Sequence, residues 1–297
     1  MENVMVKVDM GLVKELRRLT DTGFKDCKNA LEEAGGDLDK ALDVIHKAGL
    51  AKADRKSSRI AADGQIFYAG MDGCGVLVEV NSETDFAAKG EHFIKFGQVL
   101  AQLCCDSQCF DVESLKELTY PGSDYTVDET RKSLVGVLGE NIQIRRIGHL
   151  QTDHGLVASY QHGVKIGVLI QVSKNHEVAK DLAMHIAAMN PLNNKPEDLP
   201  DAVVEKERAL FLEQTIALGK PKEIAEKIVA GKLQKYLDEI TLQGQAFVKE
   251  PKIKVRDYLK DHGVEVVDFV RFELGEGIEK PTTDFAQEVK DQLDSNS

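Results

Sequence analysis

An acid and an aromatic stand side by side at the end of an apolar run in this chain, and such a pair could act on another molecule. In the segment EVNSETDFAAK (79–89) the pair is Asp85-Phe86. A carboxylate can accept hydrogen bonds or repel other acids, and an aromatic ring can fill an apolar slot in a partner protein. Nearly the same letters return as PTTDFAQEV at 281–289, where the capping-box spacing is typical of an ordinary helix start.

Two interpretations of Asp85-Phe86 remain open from the pattern itself. In the first, Thr84 caps a helix that runs through Gly90. Asp85 then favours the positive N-terminus of that helix, and Phe86 points inward. Such a helix would align one apolar stripe: Phe86, Phe93, Phe96, Leu100 and Leu103. In the second, the helix breaks near Gly90 and leaves Phe86 on an exposed ledge. The pattern favours the first interpretation, whereas action on a partner requires the second.

The cysteines and histidines offer no complete site. The five cysteines are odd in number and lack the spacing of a disulfide framework or a zinc ribbon, which favours a reducing cytosol. Cys104, Cys105 and Cys109 could be soft metal ligands, but Leu103 to Cys105 end an amphipathic helix, where thiols commonly act as small apolar residues. His162, in the turn SYQHGVKIG, is flanked by an aromatic, and a structural role is favoured over a catalytic one.

The motifs of nucleotide-binding and catalytic proteins are missing from the sequence. It has no G-x-x-x-x-G-K-[ST] phosphate loop, no dinucleotide turn, no G-x-S-x-G elbow and no H-E-x-x-H helix. The net charge of -12 repels phosphate backbones, and no run approaches the roughly 20 apolar residues that a membrane span needs. We therefore expect a cytoplasmic protein that is not an enzyme. We expect no catalytic residue, no cofactor, no metal, and no direct binding of nucleotide, nucleic acid or membrane.

The elements around these residues predict an α+β chain. Helical spacing of apolar residues marks three short helices in the first fifty residues, and AKADRKSS at 51–58, small and charged, indicates a linker. Short β-branched or alternating runs follow at 75–81 and 142–150. YAGMDGCGVLVEV (68–80) aligns without gaps with YQHGVKIGVLIQV (160–172), and a helical pattern follows each. This repeat indicates a duplicated α/β core with antiparallel sheets.

Two long helical patterns follow the duplicated core. DAVVEKERALFLEQTIAL and PKEIAEKIVAGKLQKYL are joined by Gly219-Lys220-Pro221 and suit a projecting antiparallel hairpin. VEVVDFVRFEL (264–274) then returns to the sheet, and a last helix begins near Thr283. The predicted division is an N-terminal three-helix module at 1–53, a linker at 54–59, a core N-half at 60–140, a core C-half at 141–192 and 242–277, an inserted helical hairpin at 193–241, and a C-terminal helical module at 278–297.

Six blocks of this chain resemble, in the same order, the bacterial elongation factor Ts family. They are TDTGFKDCKNALEEAGGDLDKA (20–41), EVNSETDFAAK (79–89), GENIQIRR (139–146), SYQHGVKIGVL (159–169), GKPKEIAEKIVAGK (219–232) and RFELGEGIEKPTTDF (271–285). The resemblance covers nearly the whole chain. It implies a guanine-nucleotide exchange factor that binds elongation factor Tu carrying GDP and promotes GDP release, so that GTP can bind.

The resemblance also assigns contact residues. In that family the N-terminal module is similar to ubiquitin-associated (UBA) domains and contacts the G domain of the partner. Lys28 matches a contact lysine and Phe24 an apolar contact position, while Lys25 stands where an apolar residue is often found. The family's Thr-Asp-Phe turn intrudes between helices of the partner near its magnesium site, and it maps onto Thr84, Asp85, Phe86 and Ala87. Further core contact positions are matched by Leu138, Gly139 and His162.

Two other implications concern assembly. The hairpin is associated with dimer formation in some members, which leaves open a homodimer through the hairpin or a two-plus-two complex with elongation factor Tu. The helix from Thr283 matches another contact to the G domain, so the Thr-Asp-Phe letters near the chain end only look like those at 84–86. The alternative from another class is an interaction scaffold without exchange activity, in which the UBA-like module and the core dock some other protein.

Overall fold

Three helices open the part of the chain that the computed structural model describes, residues 8–20, 22–71, 73–218 and 221–279. Helix α1 spans Met10–Thr20, α2 spans Phe24–Glu33 and α3 spans Leu38–Lys56. Asp37 begins α3, because its carboxylate accepts a hydrogen bond from the backbone N–H of Lys40 at 3.1 Å. The helices bury an apolar cluster of their own, formed by Val13, Leu16, Cys27, Ala30, Leu31 and Ala41.

The first sheet follows and is antiparallel throughout. Strands β1 (Asp63–Met71) and β2 (Cys74–Ser82) pair with each other, and β3 (Ile142–Gln151) pairs with the other edge of β2. The helices between β2 and β3 are α4 (Asp85–Ala88), α5 (Glu91–Ser107), α6 (Val112–Glu117) and α7 (Val127–Leu138). Helix α5 packs so closely on the sheet that a Cβ added to Gly97 would lie 2.0 Å from the ring of Phe67.

The second sheet repeats this arrangement. Strands β4 (Leu156–His162) and β5 (Ile166–Val172) pair antiparallel, and helix α8 (His176–Met189) follows them as α5 follows β2. The third strand, β8 (Val266–Glu273), comes from the end of the chain. The middle strands carry an irregularity at the same aligned position, after Glu79 in β2 and after Gln171 in β5. The α+β class with antiparallel sheets is confirmed.

The two sheets pack face to face. Their shared apolar layer is formed by Ile66, Leu77, Leu150, Leu169 and Phe272. Glycines allow the close approach, since a Cβ on Gly167 would lie 2.8 Å from Ile66 Cγ2 and one on Gly75 would lie 3.0 Å from Leu169 Cδ2. The two halves of the repeat therefore share the apolar layer between their sheets.

A buried carboxylate also joins the two sheets. Glu79, on β2, is fully buried and accepts hydrogen bonds from Arg145 at 2.9 Å, from Arg146 at 2.6 Å and from the backbone N–H of Gly275 at 2.9 Å. Burial by itself would raise the pKa of Glu79, but these donors and the two guanidinium groups outweigh it and hold the pKa below the ordinary value. Glu79 stays ionised and ties the chain that follows β8 to the first sheet.

Two long helices separate the strands of the second half. Helix α9 spans Asp201–Ala217 and α10 spans Lys222–Ile240, and they pack together with the rings of Phe211 and Tyr236 edge to face at 6.1 Å. Strands β6 (Ala246–Phe247) and β7 (Glu250–Lys254) and helix α11 (Val255–His262) then lead into β8. The predicted C-terminal helix from Thr283 lies outside the described residues, and the division of the chain into domains stays a prediction.

The linker predicted at 51–58 is wrong for most of its length, because α3 continues to Lys56. This part of α3 packs against α7 through small residues. Ala53 is buried, and a Cβ added to Gly136 on α7 would lie 2.8 Å from the Cα of Gly49. The helix lacks a stripe of large apolar residues here because the two backbones approach closely.

No helix among the described residues is long and apolar enough to cross a membrane.

The contact of α3 with α7 predicts a matched pair of outcomes. Gly136→Ala should lower the free energy of unfolding by about 1–3 kcal/mol, because its methyl group collides with the Gly49 backbone. Gly231→Ala on α10 is the control: nothing lies within 4 Å of its added Cβ, so it should be neutral or stabilising by up to about 1 kcal/mol. Urea unfolding followed by circular dichroism measures both. Equal stability of the two variants would contradict the close contact.

A buried histidine predicts how stability depends on pH. His185 is fully buried, its Nε2 lies 2.9 Å from Gln245 Oε1, and its Nδ1 accepts a hydrogen bond from the Val248 N–H at 3.1 Å. Burial lowers the pKa of His185 below 6.5, although the bond to Gln245 opposes the shift. His185 therefore binds a proton more readily in the unfolded chain than in the folded chain. The free energy of unfolding should fall as the pH drops below 6.5.

Urea unfolding between about pH 7.5 and pH 5 measures this loss. In His185→Gln the stability at neutral pH should be lower, and the loss over this interval should be smaller than in the unaltered protein. An identical pH dependence in the two proteins would show that His185 does not contribute.

Candidate functional site

The chain breaks its helix at Gly90 and leaves Phe86 exposed. Helix α4 ends at Ala88, and Gly90 adopts extended backbone angles (φ −67°, ψ 141°) before α5 begins at Glu91. The side chain of Phe86 is 81% exposed, although Phe93 is fully buried. The interpretation in which one helix runs through Gly90 with Phe86 inward is therefore wrong. The ledge interpretation describes the observed geometry, because the buried face of α4 is made by Ala87 and Ala88 instead.

The short helix α4 is fixed at both ends. At its start, Thr84 caps the helix by accepting a hydrogen bond from the Ala87 N–H at 3.3 Å. At its end, the carbonyl of Ala88 accepts a hydrogen bond from the buried side chain of Gln65, on β1, at 2.6 Å. Phe86 therefore lies on a turn that is hydrogen-bonded to the first sheet.

The carboxylates of two acidic residues bond the start of α4 to the loop after α7. The carboxylate of Glu140 accepts hydrogen bonds from the Thr84 N–H at 2.9 Å and from the Thr84 hydroxyl at 2.6 Å. In the opposite direction, the Glu83 carboxylate accepts a hydrogen bond from the Asn141 N–H at 2.7 Å. We use the name reciprocal clamp for these four residues, Glu83, Thr84, Glu140 and Asn141. The clamp joins two segments that lie far apart in the sequence.

The charge of Asp85 is balanced inside its own turn. Lys89 Nζ lies 2.6 Å from Asp85 Oδ2 and 5.9 Å from the centre of the Phe86 ring. The hydrogen bond from Lys89 holds the pKa of Asp85 below its usual value, with a smaller contribution from Lys165. Asp85 is therefore ionised at neutral pH, and the exposed turn presents an ion pair beside an apolar ring.

Other residues predicted from the sequence lie around this turn. The β4–β5 turn lies against β1, because the Ile66 N–H donates to the Val164 carbonyl at 2.9 Å, next to the Gln65 side chain that bonds the end of α4. His162 is exposed at the same strand end, with its Nδ1 3.4 Å from the Tyr160 hydroxyl. Val164, 44% exposed, is an apolar surface residue of this turn that the sequence did not single out.

The loop after α7 supplies the next pair. Leu138 is half-buried against the apolar cluster between α5, α7 and the first sheet, and Gly139 ends α7 in the left-handed conformation (φ 74°). Its carbonyl accepts a hydrogen bond from Lys56, the last residue of α3. The methyl groups of Leu138 lie near Gly90, since its Cδ2 would be 3.9 Å from a Cβ added there. Leu138 and Gly139 therefore neighbour the break in the helix.

The predicted residues of the N-terminal helices lie apart from this turn, on α2. Phe24 is 42% exposed at the first position of the helix. Lys28, one turn later, forms an exposed ion pair with Glu32 at 3.5 Å. The structure thus places Phe24 and Lys28 together on one helix, and it places the other predicted residues on the core.

A cleft of about 570 Å³ lies between the N-terminal helices and α7, beside the close contact of α3 with α7, and it contains none of the predicted site residues. Across it, His46 Nδ1 lies 2.9 Å from Ser133 Oγ, and the His46 ring stacks on Tyr125 with 4.0 Å between ring centres. These contacts join α3 to the core.

The cysteines of α5 lie in the apolar core. Burial raises the pKa of Cys104 to about 12 and that of Cys105 to about 11, so both thiols stay protonated at neutral pH. Within the described part of the chain, no group of three or more His, Cys, Asp and Glu side chains is arranged to hold a metal ion.

Comparisons with known proteins point to one family. A family model described as Elongation factor TS matches residues 83–276. The chain is 45% identical over 290 residues to "Elongation factor Ts" of Aeromonas salmonicida (strain A449), covering 97% of this chain and 98% of that relative. It is 46% identical over 291 residues to "Elongation factor Ts" of Methylococcus capsulatus (strain ATCC 33009 / NCIMB 11132 / Bath), covering 97% and 99%. The same identity, length and coverage are found for "Elongation factor Ts" of Halorhodospira halophila (strain DSM 244 / SL1).

The ion pair in the turn predicts a shift that can be measured directly. In Lys89→Met the pKa of Asp85 should rise towards the ordinary value, because the strongest influence that lowers it is the hydrogen bond from Lys89. Titration of the Asp85 carboxyl carbon by nuclear magnetic resonance measures the change. Lys116→Met is the control, since Lys116 pairs with Glu113 on another helix. An unchanged Asp85 titration in Lys89→Met would contradict the ion pair.

Proposed function

The chain belongs to the elongation factor Ts family, and from this premise we propose that it binds elongation factor Tu carrying GDP and promotes GDP release by inserting Asp85-Phe86 near the partner's magnesium site. The family predicted from the six sequence blocks is confirmed, and with it a role in translation elongation. The observation that supports the exchange mechanism is the 81% exposure of Phe86 on a turn that is bonded on both sides.

An exposed aromatic ring contributes to the free energy of binding when a partner protein buries it. Transfer of a phenylalanine side chain from water to an apolar slot is worth roughly 1.5–3 kcal/mol. Because α4 is held by Gln65 and Glu140, its backbone loses little further freedom when the turn binds, and the ordering cost is confined to the rotation of the Phe86 side chain. If the slot exists only when the helices of elongation factor Tu have moved, the ring stabilises the moved conformation and no other.

Exchange then follows from linkage without a covalent step. A GTPase holds its nucleotide with backbone donors, a lysine and a magnesium ion that bridges phosphate oxygens. A protein that binds the nucleotide-free conformation better than the nucleotide-bound one weakens nucleotide affinity, and returning nucleotide weakens its binding by the same factor. The proposal therefore requires neither a catalytic residue nor a cofactor in this chain.

The ion pair affects how the turn meets a magnesium site. A free Asp85 carboxylate would be repelled by the phosphates and acids around the metal, but Lys89 at 2.6 Å balances its charge during approach. Close to the metal, Lys89 can turn to the partner's acids and release the carboxylate. Both side chains are exposed, so this exchange of partners costs little in water.

The remaining predicted residues complete the proposed interface. Leu138, Gly139 and His162 would contact the partner beside the turn, and Phe24 and Lys28 would bind its G domain from α2. We propose that α9 and α10 form the projecting hairpin, through which a homodimer or a two-plus-two complex can assemble. The UBA-like character of the N-terminal helices, the domain boundaries and the cytoplasmic location belong to the same proposal.

The exchange mechanism predicts that Phe86→Ala folds normally and that GDP release from elongation factor Tu is about tenfold to a hundredfold slower with it than with the unaltered protein, since each 1.4 kcal/mol is tenfold. Stopped-flow release of a fluorescent GDP from elongation factor Tu measures the rate. Leu192→Ala is the control, because Leu192 is 60% exposed and lies outside the proposed interface.

Release as fast with Phe86→Ala as with the unaltered protein would contradict insertion of the ring. If the unaltered protein bound elongation factor Tu without accelerating release, the non-exchange scaffold would be the better hypothesis.

A further inference from the structure

We propose that Glu140 is the positioning residue for Asp85-Phe86, acting through Thr84; the inference rests on the proposed exchange function. Glu140 lies in the block GENIQIRR (139–146), but no spacing in the sequence assigns it a role, since it follows Gly139 in an ordinary helix-to-strand connection. Its role is visible only in the contacts that it makes across the fold.

Both oxygens of the Glu140 carboxylate are used on one residue. Oε2 accepts from the Thr84 N–H at 2.9 Å and Oε1 accepts from the Thr84 hydroxyl at 2.6 Å. Two bonds to one residue fix its direction as well as its position, and bonds to a charged acceptor are stronger than neutral ones. The Thr84 hydroxyl in turn accepts from the Ala87 N–H at 3.3 Å, which sets the direction of α4. Phe86 lies between these two contact points.

Glu140 is itself held firmly. Gly139 before it has the left-handed backbone that ends α7, and Asn141 after it is buried. Asn141 donates from its side chain to the Arg59 carbonyl at 2.7 Å and from its backbone to Glu83 at 2.7 Å. The carboxylate of Glu140 therefore projects from a fixed point, and the reciprocal clamp transmits that point to the turn.

The exposure of Phe86 indicates why its direction has to be fixed. The buried core needs no particular direction for Phe86, because the ring is 81% outside it. A ring that must enter a slot in another protein does need one, since small misplacements of a preorganised group weaken the step that it serves. The bidentate contact fits the second requirement.

The experiment measures GDP release from elongation factor Tu with four proteins: unaltered, Glu140→Ala, Phe86→Ala and the double variant. Glu140→Ala should lower the maximal release rate about tenfold, while the factor concentration that gives half-maximal rate changes by less than about threefold, because the other contacts remain. In the Phe86→Ala background, Glu140→Ala should cause a much smaller further loss, since only Asp85 is left to position.

Two variants separate positioning from general stability. Glu140→Gln keeps one carbonyl acceptor for Thr84 and should lie between the unaltered protein and Glu140→Ala in rate, and it serves alone if the alanine variant does not fold. Asp111→Ala is the stability control, because Asp111 likewise accepts a backbone N–H, that of Ser114 at 2.7 Å, at the start of α6. Asp111→Ala should lower the melting temperature without slowing release.

Each result that contradicts an expectation has a single interpretation. If Phe86→Ala is slow and Glu140→Ala is as fast as the unaltered protein, the positioning role is wrong and the exchange function stands. If the losses from Phe86→Ala and Glu140→Ala simply add, Glu140 acts elsewhere and the inference is again wrong. If the unaltered protein does not accelerate release, the proposed function fails and takes this inference with it.

Discussion

The exposure of Phe86, on which the proposed function depends, is a consequence of the break of the helix at Gly90. An unbroken helix would draw Phe86 into the stripe that begins at Phe93, and the chain would present no aromatic at this edge of the sheet. Gly90 instead takes an extended conformation, and the buried face of α4 is made by Ala87 and Ala88. Two alanines cover little area, so a four-residue helix has to be held by polar contacts. Gln65 and the reciprocal clamp supply them.

Much of the fold could be predicted from the sequence, because it rests on local pattern. Helical spacing found α1 to α3, the β-branched or alternating runs found β2, β3 and β8, and the aligned repeat at 68–80 and 160–172 anticipated two related sheets. The linker at 51–58 failed for a physical reason: Gly49 and Ala53 pack through their small size, and a scale of hydrophobicity does not register closeness of backbones.

The site was less accessible to pattern. Thr84, Asp85 and Phe86 were singled out, yet periodicity favoured the wrong direction for the ring, since nothing local distinguishes Gly90 within a helix from Gly90 between two helices. Glu140 and Gln65 could not be found, because their importance lies in partners that are 56 and 23 residues away. Lys89 was four residues from Asp85, at a spacing that a helix turns into an ion pair, and it is the residue that pattern could have found.

The contact between Glu79 and Gly275 gives the order of synthesis a physical meaning. The amide of Gly275 is made 196 residues after the carboxylate that it satisfies. While the chain is still growing, β1, β2 and β3 can pair, but Glu79 must then keep water or rely on its arginines alone, because a buried charge tolerates few missing donors. The Glu79 carboxylate of a nascent chain therefore lacks its Gly275 donor until the segment that follows β8 has left the ribosome.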